Sequence, residues 1–235
     1  MARMATSILA IDAHPADMEF TCGGALALAV EEGGRATLLH LTLGEKGSPT
    51  LPPAAYAIQK RREAELAARR LGAGVRFFDY PDAELPYTEA AALRIADVIR
   101  ELRPEVVITH WGGSDQRDDQ HAHYLVNDAV FYAALPAMRR PSGPAHSVQA
   151  LYYADSWEDP LHYQPDTFLD ITRTYRRWVH ACSAYQLWRG GVEKFPFANY
   201  YRALTVTRGA LAGFRHAQAF RAASHQTRLN SWSQR

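Results

Sequence analysis

Short apolar runs alternating with stretches of helical periodicity constrain the fold of this 235-residue chain more than any other feature. The runs at 7–13, 36–43, 75–80, 105–110 and 149–154 are rich in Val, Ile, Leu and aromatic residues, as strands buried on both faces require. Between them, 24–32, 55–71, 89–102 and 118–135 repeat apolar residues at 3.6-residue spacing. The second of these stretches closes at Gly72 and the third at Arg103-Pro104. The alternation predicts an α/β fold, a mostly parallel twisted sheet with helices on both faces. With 47% hydrophobic residues the chain can bury one sizeable core. The expectation is a single domain over 1–220, followed by a polar tail over 221–235 that has little to order it.

Two polar clusters sit where strands end. The first run leads into Ala13-His14-Pro15-Ala16-Asp17-Met18-Glu19, and the fourth leads into His110-Trp111 and on to Gln116, Asp118, Asp119, His121 and His123. In an open parallel sheet both clusters lie at the carboxyl edge, where such folds bind ligands. Neutral imidazole nitrogens and ionised carboxylate oxygens suit a divalent metal. Asp119 and His123 stand four apart on an expected helix and share a face, the spacing at which a helix presents two ligands.

Other function classes find less support. Net charge is +1, from 26 basic and 25 acidic side chains, and no basic run suggests nucleic acid as a partner. Cys22 and Cys182 form no C-x-x-C pair, so a reduced, cytoplasmic setting is expected. No stretch has the length of a membrane span or the pattern of a secretory signal, so no membrane partner is expected either.

The order A-H-P-x-D-x-E-x-x-x-G-G, L-T-x-G-E-x-G-S, R-R-E-A, Y-P-D-x-E-L, R-P-E-V-V-I-T-H-W, Y-Y-A-D-S-W-E-D and R-G-A-x-x-G-x-x-x-A-x-A-F spans residues 7–220. It resembles the PIG-L or LmbE-like N-acetylglucosaminyl deacetylases. The resemblance implies a Rossmann-like domain that often forms homo-oligomers. It also implies a zinc-dependent hydrolase whose small-molecule substrate is an N-acetylated amino sugar or its conjugate. His14 and Asp17 match the family's first two metal positions, while Ala16 stands where the family carries an aspartate base. Gln116, Asp118 and Asp119 fall on the family's His, Asp and His positions, and Gln218 falls where relatives commonly carry Glu.

These departures leave three readings open. Zinc or another divalent metal binds through His14, Asp17 and Asp119, with His123 or His121 as alternatives for the third ligand. Hydrolysis persists with Asp118 or Glu19 as a relocated base and Gln116 beside the developing oxyanion. Or the cleft binds a ligand or partner without reacting. Around the centre, Arg62, His110 and Trp157 are candidate substrate contacts. The bland readings are a solvated face for Arg61 and Arg62, a turn brace for Asp82, a packing role for Cys22, and a loop-to-helix entry eased by Gly23 and Gly24. His40 and the remaining scattered histidines, His225 among them, are assigned no chemistry. The aromatic carboxyl-terminal third suits a core, an interface or a pocket rim, with Trp157, Tyr200 and Tyr201 as rim candidates.

Overall fold

A computed structural model describes residues 6–157, 162–190 and 194–223. Its elements are β1 (Ser7–Asp12), α1 (Asp17–Glu31), β2 (Arg35–His40), α2 (Pro53–Leu71), β3 (Gly74–Phe77), α3 (Glu89–Leu102), β4 (Val106–Thr109), α4 (Arg117–Ala134), β5 (Ala150–Ala154), β6 (Thr167–Asp170), α5 (Tyr175–Cys182), α6 (Phe197–Ala212) and β7 (Ala217–Ala222). One sheet runs in the order β3-β2-β1-β4-β5-β7-β6. The five strands expected from sequence pair in parallel, and β7 joins antiparallel to both β5 and β6. The α/β fold class is therefore as read.

Local chemistry explains several boundaries. Gly72 closes α2 at φ 77, a left-handed conformation that costs glycine little. Thr88 caps α3 by accepting a hydrogen bond from the Ala91 N–H. Sequence periodicity misses β6, α5 and α6, since Thr167–Asp170 is short and half-buried and the helices carry aromatics on several faces. β7 carries the sheet to Ala222, two residues beyond the expected domain edge at 220. The rest of the expected tail, from 224 on, lies outside the described residues, as does His225.

Gly23 and Gly24 are not at a helix entrance but inside α1. A Cβ on Gly23 would stand 2.9 Å from the Trp178 ring, and one on Gly24 would stand 2.8 Å from Ile171 Cδ1 and 2.9 Å from Gln218 Oε1. The pair lets α5 and β7 approach the α1 backbone, and Gln218 uses that approach to accept the Ala25 N–H at 2.9 Å. Gly24→Ala is accordingly expected to cost about 1–3 kcal/mol in urea unfolding through overpacking. A loss below about 0.5 kcal/mol would show that the contact relaxes freely.

Strand order reverses between β1 and β4, adjacent and parallel with Ala10 opposite Ile108. At such a switch point the loops leave in opposite directions and open a crevice at the carboxyl ends. Both polar clusters open onto it.

Candidate active site

His14 sits just beyond β1, at the centre of four carboxylates. Its Nδ1 lies 3.3 Å from Asp17 Oδ2 and 3.5 Å from Asp119 Oδ1; its Nε2 lies 3.1 Å from Asp82 Oδ1 and 3.8 Å from Asp118 Oδ2. The elements dictate this convergence. Asp17 opens α1, Asp118 and Asp119 lie in the first turn of α4, and Asp82 follows β3.

Each carboxylate but Asp17 clearly divides its labour. Asp119 Oδ2 accepts the Ser114 hydroxyl at 3.2 Å, Asp118 Oδ1 accepts the Leu85 N–H at 3.3 Å, and Asp82 Oδ2 accepts the Lys46 N–H at 2.7 Å. The other oxygens face His14. Asp119 Oδ1 and Asp118 Oδ2 are buried without a hydrogen-bond partner, a costly state for an anionic oxygen. Ligand atoms of His14, Asp17 and Asp119 lie within 4.8 Å of one another, as do those of His14, Asp82 and Asp118. Convergent, unpaired oxygen donors around an imidazole are what a divalent metal needs, so the residues present fit one.

The electrostatics agree. Burial opposes charge on His14, but the facing carboxylates of Asp118, Asp119, Asp17 and Asp82 outweigh it and raise its pKa well above 6.5, so the centre favours a positive charge. Asp17 is pushed up by burial, yet His14, His110 and Lys60 pull its pKa down to about 2. Asp17 is thus a standing anion, ready to act as a ligand.

His110, 2% exposed, lies behind this centre rather than in the cleft. Its Nε2 accepts the Ala13 N–H at 3.1 Å, and its Nδ1 faces Asp119 Oδ2 at 3.4 Å, so it ties the β4 cluster to the β1 loop. Its sequence position left His110 either a substrate contact or a group that fixes its loop, and these contacts are those of a loop brace. His123 is turned away: its Nδ1 meets the His110 carbonyl at 3.0 Å and its ring packs 4.6 Å from Tyr153. His121 bonds the Leu85 carbonyl at 2.6 Å. Among the described residues neither joins a metal-binding group.

Glu19 is fully buried and does not reach the cleft either. Its Oε2 accepts the Ala16 N–H at 3.1 Å, and its Oε1 accepts the Tyr185 hydroxyl. Asp12 accepts the Met18 N–H at 3.3 Å and meets His40 Nδ1 at 2.6 Å. These buried acids anchor the turn at Ala16, whose φ of 103 is rare for a residue with a Cβ. The role as base expected for Glu19 therefore gives way to a structural one.

The cleft in front of His14 encloses about 290 Å³. Phe20, Tyr56, Trp157, Phe197 and Tyr201 form its apolar wall, and Gln116 and Lys46 stand at its rim. Trp157 lines the cleft, stacked on Phe195 at 4.2 Å, and Tyr201 rather than Tyr200 reaches the lining. Arg62 is exposed and outside the cleft, while Lys60, two residues earlier on α2, lines it. The signal for Lys60 was available: with Tyr56, Glu63, Ala64 and Ala67 it belongs to the buried stripe of α2, where a cation is unusual. Asp82 combines the expected turn brace with a place beside His14.

The model of the family described as PIG-L, GlcNAc-PI de-N-acetylase, matches residues 9–134, more than half of the chain. The chain belongs to the PIG-L family. It is similar to 4-oxalmesaconate hydratase of Pseudomonas putida, 29% identical over 215 residues that cover 88% of this chain and 81% of the hydratase. The solved structure of a 4-carboxy-2-hydroxymuconate hydratase from Pseudomonas putida KT2440 superposes with a TM-score of 0.86 at 25% identity, over 96% of this chain and 99% of that one. The 1D-myo-inositol 2-acetamido-2-deoxy-alpha-D-glucopyranoside deacetylase of Kribbella flavida is 30% identical over 183 residues, 62% of this chain and 60% of that enzyme. N,N'-diacetylchitobiose deacetylase from Pyrococcus horikoshii shares the fold, with a TM-score of 0.80, 21% identity and coverage of 93% and 84%. No helix of the described residues is long and apolar enough to cross a membrane.

Proposed function

We propose that this PIG-L chain is a metal-dependent enzyme that sets water against a small polar substrate in the cleft before His14. The observation that carries this reading is the pair of buried, unpartnered oxygens, Asp118 Oδ2 and Asp119 Oδ1, aimed at His14. His14, Asp17 and Asp119 would hold the metal, and zinc, which accepts imidazole and carboxylate ligands, is the ion the family resemblance implies. Bound there, it would supply Lewis acidity and make water a stronger acid.

The chain's own groups do the rest. Asp118 Oδ2 is the base, taking a proton from the attacking water and returning it to the substrate. Gln116 stands at the rim, where its amide can donate to oxygen charge as it develops. The aromatic wall excludes bulk water and packs the carbon skeleton.

Of the two reactions found among the relatives, hydration of a carbon–carbon double bond is the one favoured. The hydratase match covers 88% of this chain and 81% of the hydratase, whereas the Kribbella deacetylase match covers 62% and 60%. Ala16 moreover offers no carboxylate where the deacetylase resemblance puts its base. Amide deacetylation is the second reading, favoured by the family model and the deacetylase relatives.

One assay separates them. The purified chain with zinc should consume 4-oxalmesaconate, followed by loss of its conjugated absorbance, and release no acetate from N-acetylglucosamine conjugates. Asp118→Asn should slow turnover by about 10²–10⁴-fold. Acetate release without hydration would replace the first reading by the second, and Ala16→Asp should then raise it, since Asp tolerates positive φ. Inactivity towards both would favour a member that binds without reacting.

A further inference from the structure

We propose that Lys60 is an anion-recognition residue, holding a carboxylate of the substrate while another part of the same molecule faces His14. The inference rests on the cleft being the substrate site and adds the chemical class of what enters it.

Lys60 is 5% exposed, and it lines the cleft together with His14 and Asp17. A Cβ on Gly44 would lie 3.5 Å from His14 Cβ and 3.6 Å from Lys60 Cε, so one loop residue separates the lysine stem from the imidazole. The ammonium carries three donors. One is spent on the Pro15 carbonyl, and the Tyr185 ring lies 5.2 Å away. No carboxylate oxygen of the described residues forms an ion pair with it. Glu63, one turn along α2, is committed to the Gln59 side chain and the Gln186 N–H.

The second cleft lysine behaves differently. Lys46 pairs with Glu84 at 2.5 Å and donates to the Asp82 carbonyl at 2.6 Å, so its charge is answered within the protein. Asp17 senses this charge from a distance, but a buried ammonium with no carboxylate bonded to it is expensive to maintain, and a cleft that keeps one is suited to an anionic ligand. A neutral N-acetyl sugar offers this ammonium hydrogen-bond acceptors but no negative charge. A small unsaturated acid does, and its carbon skeleton would lie on the Phe20, Trp157 and Phe197 rings.

Calorimetric titration of metal-free protein with fumarate, its neutral isostere fumaramide and N-acetylglucosamine tests this. Fumarate should bind wild-type protein at least about tenfold more tightly than fumaramide, the expected margin for a charge-assisted pair over a neutral one. Lys60→Met should lose that margin, and Lys60→Arg should keep part of it. Equal affinity for fumarate and fumaramide in the wild type overturns the proposal whether or not Lys60→Met folds. So does a folded Lys60→Met with unchanged fumarate affinity, which would leave Lys60 only a brace for Pro15. Fumarate binding without turnover of 4-oxalmesaconate in the zinc-loaded enzyme would sink the reaction while leaving the Lys60 assignment standing.

Discussion

Asp119→Asn is expected to abolish stoichiometric binding of zinc at the proposed site, Ser114→Ala to weaken it, and His123→Ala to leave it unchanged. The order follows from which atoms face His14. The Asp119→Asn variant would present an amide in place of the anionic Oδ1, whose buried charge otherwise has no partner. Ser114 fixes the rotation of that carboxylate through its other oxygen, and losing such an outer partner typically costs about 10–100-fold in metal affinity. Losing the ligand itself should cost more than about 100-fold. His123 spends its Nδ1 on the His110 carbonyl and packs among Trp111, Tyr124 and Tyr153. Competition titration with a chromogenic chelator reads all three variants. Metal loss in His123→Ala with retention in Asp119→Asn would move the third ligand one turn along α4.

The largest expected loss of stability lies far from the cleft. Arg100 is 2% exposed on α3, and its guanidinium donates to the carbonyls of Ala133 at 3.1 Å, Tyr132 at 3.0 Å, Leu135 at 2.9 Å and Met138 at 2.6 Å. Tyr132 and Ala133 lie in the last turn of α4, where carbonyls run out of partners within the helix and form the negative pole of its dipole. The planar fork of donors serves all four acceptors at once, which neither methionine nor lysine can do. Arg100→Met leaves several buried acceptors bare and should cost about 4 kcal/mol, with Arg100→Lys recovering only part. In thermal unfolding that corresponds to a drop of roughly 10 °C for a domain of this size. A change under about 1 kcal/mol would mean that water reaches those carbonyls. Because α4 carries Asp118 and Asp119 at its other end, the clip also fixes the helix that bears half of the site.

The parallel part of the fold was legible because buried strands and amphipathic helices leave different periods in sequence. The central pair of loops was legible for the same reason, since two parallel strands must release their polar ends on one edge. His14, Asp17 and Asp119, which the family resemblance singles out, do stand together at that edge. His123 shows the limit of spacing. Residues at i and i+4 share a broad face, yet α4 turns Asp119 towards the β1 loop and His123 towards Trp111. Glu19 shows a second limit, for a carboxylate two residues from a site aspartate points through the turn into the core. Asp82 arrives from the loop after β3 and Lys60 from α2; the buried stripe of α2 marks Lys60 as unusual, but nothing in either segment says that they meet at His14. The antiparallel edge was hidden because β6 spans four residues and follows an aromatic stretch without clear alternation.

The central claim is that His14, Asp17 and Asp119 surround one metal position. Anomalous X-ray scattering at the zinc edge, from crystals grown with equimolar zinc, tests it most directly. One strong peak is expected at about 2.0–2.2 Å from a His14 nitrogen and from oxygens of Asp17 and Asp119. A peak held by His123 instead, or His14 bonded only to its neighbouring carboxylates with zinc elsewhere, would contradict it.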